Sequence, residues 1–437
     1  MFLHLAALVR LTISTFVSRV GLHLLTVGDA LIVGRHSVDE LAWIGAATAV
    51  ASVLYILAPG LLIGTLVETS AARARGQGAR IGDIWRVSVV YGIAAGVVCG
   101  LLCLSGPRLL GVLDQDPAVA REGGRLLAWM GMALPVHFAM FATLYVLEAS
   151  GRAQACAIAF AVGAVANVGI DIVLVFDEFA GLGADGAVIG TALVRLAIFT
   201  ALALVLWHGS DAEVSGIRRW RFPARAVWRT VLRIGFASGA SLAGESTAFA
   251  ALTIFAGWLG PASLAVYTIL FNILSTIFMM ALALGVATSV QVATARECSP
   301  IYGPKQALAA ALMLCVGLMG LFGGLAWLFA PAVAAAFTSD SETAAAAAAL
   351  TGWLAVFLLI DGAQVTIHHG VRGLNDAWVT TAINLVCYLV IMTGAAWLLA
   401  IPAGQGVAGL FQGGLIAGVC VVLLLLWRFE TVRRRVA

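Results

Sequence analysis

Apolar runs of roughly the 20 residues that a bilayer-crossing helix needs recur along the whole chain, separated by short polar stretches. Their limits predict helices over approximately 11–34, 44–70, 87–106, 123–147, 154–176, 187–207, 231–256, 262–290, 306–330, 345–370, 379–400 and 407–427. Twelve such helices make an all-α membrane protein. The first run carries Asp29 and lacks the short apolar core and small-residue cleavage site of a signal peptide, so it is expected to stay as the first helix.

The longest polar stretch, His208 to about Arg233, holds six arginines and Pro223 and separates six predicted spans from six. The expected organisation is an amino-terminal six-helix lobe over 1–207, a basic cytoplasmic linker over 208–230 and a carboxy-terminal six-helix lobe over 231–437. An internal repeat agrees with this. Gly64 and Gly285 are each followed eleven residues later by an arginine, Arg75 and Arg296, an offset of 221. Residues 149–155 match 371–377 at an offset of 222, and Gly186–Gly190 loosely matches 406–410 at 220. An even number of spans per half makes the repeats parallel, related by a pseudo-two-fold axis along the membrane normal, with a cavity expected between the lobes.

Composition excludes a water-soluble globule: 62% of the 437 residues are hydrophobic, 11% are charged and the mean hydropathy is +1.03, against about 25% charged in soluble domains. Positive residues collect in loops that stay in the cytoplasm. With the amino terminus inside, the inside segments hold 19 basic residues, and the outside ones keep only Arg35, Arg108, Arg121 and Arg125. The acids Asp114, Asp116, Asp177, Glu178, Asp185, Asp340 and Glu342 gather on that outer side. A bacterial inner membrane with both termini cytoplasmic is therefore expected. The seven cysteines form no C-x-x-C pair and mostly lie inside spans, which suits packing rather than metal or disulfide roles. No G-x-x-x-x-G-K-[ST], H-E-x-x-H or G-x-S-x-G motif occurs, which counts against nucleotide-driven transport and against an enzyme.

A charged side chain at the bilayer centre costs on the order of 2.5–3.5 kcal/mol, so carboxyls in the middle of apolar runs need a reason. Asp29, Asp171, Glu245 and Asp361 are such cases, and no predicted span contains a lysine. They must be protonated, bind a cation, or pair with one of the two membrane arginines, Arg19 and Arg195. Asn167 and Asp171, four apart, share a helix face and could converge on a small cation or make a structural interhelical hydrogen bond. Asp361, Gln364 and His368 form one polar stripe, while His368 and His369 are expected as loop-end residues near the water interface. Tyr267, Phe271 and Ser275 fall on one face, and Phe357 precedes Asp361 by a turn. These four suit a substrate cavity about as well as packing or lipid contact.

With those residues in view, the chain resembles transporters of the multidrug and toxic compound extrusion (MATE) family, of the NorM type within the MOP flippase superfamily. The resemblance runs over nearly the full length. Its carriers are Val27–Gly34 with Leu41 and Ala42, Gly60–Gly64 leading to Arg73–Gly76, Asn167–Asp171, Gly183–Gly190, Gly244–Glu245, and Asp361 through Arg372–Asp376. It implies two six-helix lobes that alternate between inward-open and outward-open states, exporting cationic or amphipathic compounds in exchange for sodium ions or protons. It also implies a cation-coupling role for Asp29, Asn167, Asp171, Glu245 and Asp361, with Thr191 matching a sixth-helix threonine of the amino-lobe site. The first helix has Gly21 and Gly28 but no proline, so the resemblance does not extend to proline-dependent bending. No cofactor and no nucleotide-binding subunit are implied; the partners are small organic cations and the bilayer, and no nucleic acid. The sequence supplies what either sodium or a proton would require, and leaves the ion open. Two rivals remain. A lipid-linked saccharide flippase of the same superfamily would be expected to expose a basic cavity, whereas this one is acidic apart from Arg195. A membrane-embedded lipid enzyme would need a clustered acid–base motif that is missing here.

Overall fold

In the computed structural model, the described residues are 2–112, 117–209, 212–213, 215–218, 223–298, 302–337 and 341–436. Asp114, Asp116, Arg219, Arg221 and Asp340, used above in the charge argument, lie outside them. Every predicted span is a long helix: α1 (Phe2–His36), α2 (Val38–Ala74), α3 (Gly78–Cys103), α4 (Pro117–Ala149), α5 (Ala153–Val175), α6 (Gly183–His208), α7 (Arg225–Trp258), α8 (Pro261–Cys298), α9 (Gly303–Leu328), α10 (Ser341–Gly373), α11 (Trp378–Ala400) and α12 (Gly406–Val436). No strand occurs among the described residues. Eleven of the twelve are long and apolar enough to cross a membrane. The exception is α7, which is 34 residues long but whose apolar run is diluted by Ser241, Glu245, Ser246 and Thr247. The chain is a multi-pass membrane protein.

The helices overrun their apolar segments because backbone hydrogen bonding propagates through polar residues that still favour the helix. Short helices, Gly106–Val112 and Ala330–Ala335, follow α3 and α9, the third long helix of each six. The order of elements is thus duplicated, as the sequence repeat implied.

Contacts divide the chain into an amino unit, Val17–Gly239, and a carboxy unit, Met1–Phe16 with Ala240–Ala437. Both boundaries fall inside a helix, α1 and α7, which hold the same first place in the two sixes.

In the amino unit α4 is the central helix, packed by α2, α3 and α6, and its Phe138, Phe141, Leu144, Tyr145 and Leu147 are fully buried. Gly96 allows α3 to lie on α4 at its Pro135, since a Cβ there would meet the proline Cα at 2.6 Å. Part of the polar stretch after α6 docks on the start of α3. The Gly82 amide donates to the Ser215 carbonyl at 2.9 Å, and Arg86, paired with Asp83 at 2.8 Å, donates to the Gly216 carbonyl at 3.1 Å.

In the carboxy unit α10 takes the central place against α8, α9 and α12, burying Leu354, Phe357, Leu358, Ile367 and Val371. The last carbonyls of a helix have no partner inside it, and arginines in both units serve carbonyls at or just past helix ends. Arg73 donates to the Ala149 carbonyl at the end of α4 at 3.4 Å, and Arg296 donates to the Leu374 carbonyl just past α10 at 3.1 Å.

Candidate functional site

Two polar clusters are built in the two units, each around acids that the sequence singled out. In the amino unit, α1, α5 and α6 bring together Asp29, Asn167, Asp171 and Thr191, none more than 6% exposed. The Thr191 hydroxyl donates to both oxygens of Asp29, at 2.7 and 2.8 Å, and accepts from the Asn167 side-chain amide at 3.1 Å. A fixed chain of donors, Asn167 to Thr191 to Asp29, therefore orients one carboxylate. Asp171 lies close enough to Asp29 for their charges to interact, and neither of its oxygens nor the Asn167 Oδ1 has a hydrogen-bond partner. Gly190 makes room for this, because a Cβ there would run into the Asp171 carboxylate.

Buried acceptors without donors are costly unless something supplies positive charge. Three such oxygens, beside a carboxylate already fixed by Thr191, form a set that can take up a proton or gather round a small hard cation. A small cavity adjoins them, lined by Thr26, Asp29, Thr48, Tyr55, Val188, Thr191 and Arg195 among others. Tyr55 and the neighbouring His137 were not singled out by sequence. His137 Nε2 lies 3.4 Å from the Tyr55 carbonyl, and the two rings are 4.9 Å apart.

The two membrane arginines part company. Arg19 is paired with Glu148 at 3.4 Å, both side chains at most 5% exposed, with the guanidinium also over the rings of Phe141 and Tyr145. Arg195 makes no ion pair among the described residues and lies over the Tyr55 ring, 4.2 Å from its centroid. Glu148 escaped notice because it stands at the very end of its apolar run, where a charge is unremarkable.

In the carboxy unit Asp361, on α10, accepts from the Tyr388 hydroxyl at 3.1 Å. Tyr388 sits on a π-helical stretch of α11, Cys387–Met392. Such π-turns recur at functional sites because they re-aim side chains. Glu245, on α7, lies within electrostatic reach of Asp361 and Arg372. It lines a second small cavity with Ser241, Gln364, His368 and Arg372 among others. Gln364 is buried there, its Oε1 without a donor.

The expectation that His368 and His369 are loop-end residues at the water interface is corrected here: they are 3% and 6% exposed, within α10. The helix runs on to Gly373 and α8 and α11 close over it. The Asn384 amide donates to His368 Nδ1 at 2.9 Å, and the Ser289 hydroxyl to the His369 carbonyl at 2.8 Å.

The aromatic candidates do assemble. Tyr267 stacks on Phe271 at 6.0 Å, and Phe249 joins Phe271, Phe357 and Tyr388 at 5.7–6.3 Å, so the row ends at the tyrosine that binds Asp361. Ser275 does not join it; its hydroxyl turns back to the Asn272 carbonyl of its own helix at 3.0 Å.

The duplicated six-helix plan has counterparts among known proteins. The MatE family model matches residues 15–173 and 237–398. The chain belongs to the MatE family. It is a transporter rather than an enzyme. It is 30% identical over 431 residues to the probable multidrug resistance protein NorM of Caulobacter vibrioides, covering 98% of this chain and 91% of that one. It is 24% identical to the multidrug resistance protein PmpM of Pseudomonas aeruginosa, covering 93% and 87%. The fold is that of the eukaryotic MATE transporter AtDTX14, with a TM-score of 0.88 at 19% identity and 100% and 99% coverage. An outward-facing MATE transporter of the MOP superfamily superimposes with a TM-score of 0.89, again at 19% identity, covering 99% and 97%.

Proposed function

We propose that this MatE protein is an efflux antiporter that exports cationic or amphipathic small molecules in exchange for sodium ions or protons. It would do so from a bacterial inner membrane, with both termini cytoplasmic and the six-helix halves 1–207 and 231–437 joined by the basic stretch 208–230. The observation that carries the reading is the Asp29–Asp171 pair: two buried carboxyls side by side, one oriented by Thr191 and the other with no protein donor. The names of the relatives, multidrug resistance proteins, support the cargo class.

In this reading Asp29, Asp171, Glu245 and Asp361 take up the coupling cation, while Asn167 and Thr191 hold Asp29 in place. Like charges at such range cannot both stay bare at low cost, so each cluster favours a bound cation or proton. The row Tyr267, Phe271 and Phe357 with Phe249 is packed ring on ring in the core of the carboxy unit, so in this reading it meets a flat cation only in a conformation that opens it, each contact then worth about 0.5–2 kcal/mol; Gln364 adds an acceptor beside Glu245. Coupling cation and cargo stabilise different conformations through their different affinities, so that loading one expels the other. The flippase alternative calls for a basic cavity, whereas each cavity here pairs an acid with an arginine, Asp29 with Arg195 and Glu245 with Arg372, and has a second acid close by, Asp171 or Asp361.

The test is transport by the purified protein in proteoliposomes, with the fluorescent organic cation ethidium as cargo and a sodium or proton gradient imposed separately. The expected result is accumulation against the ethidium gradient under one of the two ion gradients and its collapse when that gradient is dissipated. Ethidium movement that neither gradient accelerates would sink the antiporter reading.

A further inference from the structure

Arg195 is the one charged group lining the amino-unit cavity that the coupling scheme does not use. It stands on α6 one turn beyond Thr191, so both side chains lie on the same helix face, and both line the cavity that Asp29 borders. It is 3% exposed, its Nε has no acceptor, and no carboxylate comes within ion-pair range among the described residues. Instead the guanidinium rests 4.2 Å from the centre of the Tyr55 ring. The charged or titratable groups around it are Tyr55 from α2, His137 from α4 and Asp29 from α1, which lies within its electrostatic reach, with Asp171 from α5 beyond Asp29. A buried, permanently charged side chain next to an acid pair it does not contact has two available partners, a ring face and a carboxylate.

We propose that Arg195 is a tethered counter-cation for this site: it rests on Tyr55 while a coupling cation occupies the Asp29–Asp171 pair and swings across the cavity onto Asp29 when that cation leaves. The inference rests on the reading of Asp29 and Asp171 as a coupling site. Its consequence is a residue that sets the site's affinity. A guanidinium competing for the same carboxylate weakens binding of any external cation and speeds its release. It also spares the unloaded protein two bare carboxylates during the conformational change. The aromatic ring makes the competition reversible, because the resting position is itself favourable.

The two candidate ions are the probes. On purified protein, 22Na+ binding is measured at about pH 8, where an ordinary carboxyl is ionised. Proton uptake is followed by the infrared band of protonated carboxyls that Asp29→Asn removes. Arg195→Gln, which keeps a polar side chain at the site, is expected to bind at least one of the two cations about tenfold more tightly and to export ethidium more slowly through delayed release. Arg195→Lys is expected to stay near wild type. Tyr55→Leu removes the resting place and is expected to shift affinity the other way, weakening cation binding by several-fold with Arg195 intact. This second variant keeps the proposal testable if Arg195→Gln does not fold.

A purely packing role for Arg195 would lower binding in all three variants or leave it unchanged. The proposal is overturned if neither cation binds more tightly to Arg195→Gln, or if Tyr55→Leu tightens binding. If Asp29→Asn removes neither the 22Na+ signal nor the carboxyl band, the coupling-site reading itself fails and takes this proposal with it. That outcome is distinct from intact, Asp29-dependent binding that is indifferent to Arg195.

Discussion

Asp361→Asn and Glu245→Gln are each expected to lower gradient-driven ethidium export about tenfold or more while leaving the amount of folded protein in the membrane unchanged. Both substitutions preserve shape, keep one acceptor oxygen and remove the ionisable charge. The amide introduced by Asp361→Asn would still accept from Tyr388, which in the native protein lies 3.1 Å from the Asp361 carboxylate, so the π-helical stretch of α11 keeps its anchor. What is lost is the ability of the cavity shared by Glu245, Gln364, His368 and Arg372 to distinguish a loaded from an unloaded state. Typical coupling energies of about 1–3 kcal/mol translate into roughly 5–150-fold effects. Fluorescence efflux from proteoliposomes of matched protein content measures this. Wild-type rates in both variants would show that the carboxy-unit acids are structural.

The second large effect concerns stability. Arg19 and Glu148 form an ion pair with side chains 5% and 0% exposed. Removing one member strands a buried charge, at a cost of about 3–5 kcal/mol. Arg19→Leu is therefore expected to destabilise the protein strongly, and Glu148→Leu similarly because it leaves the guanidinium with only the Phe141 and Tyr145 rings. The double variant Arg19→Leu/Glu148→Leu should recover most of the loss, since two apolar side chains of suitable volume often replace a buried pair at little cost. Unfolding in sodium dodecyl sulfate, followed by tryptophan fluorescence, reads all three. Single variants as stable as wild type would contradict the account. So would a double variant as unstable as the sum of the singles.

The contrast between Arg19 and Arg195 illustrates what was legible in the sequence. A charge in the middle of an apolar run is conspicuous because its cost must be met by function or pairing; Asp29, Asp171, Glu245 and Asp361 were therefore visible, and so were both arginines. Which arginine meets which acid depends on packing between distant helices, and Glu148, at the edge of the run 123–147, gave no local signal. The twelve helices were readable from hydrophobicity, but their ends were not. That error in the end of α10 is why His368 and His369 were expected at the water interface, whereas both are buried. Tyr55, His137 and Tyr388 are ordinary aromatic residues of apolar helices until the fold sets them beside an acid or each other. The π-turn that carries Tyr388 has no sequence signature in Cys387–Met392. Ser275 shows a different limit of the sequence. Helix periodicity puts it on one face with Tyr267 and Phe271, but periodicity does not tell that its hydroxyl donates to its own backbone, as serines in apolar helices commonly do.

The central claim is that buried carboxylates hold the coupling cation and give it up when cargo loads. The most direct measurement is cation release from the purified protein on adding ethidium, followed as 22Na+ displaced or protons liberated into weakly buffered solution. Release from wild type that saturates with ethidium, and is lost in a variant carrying Asp29→Asn, Asp171→Asn, Glu245→Gln and Asp361→Asn together, is the result expected. Ethidium binding that displaces neither sodium nor protons, or displacement that survives removal of all four acids, would contradict it.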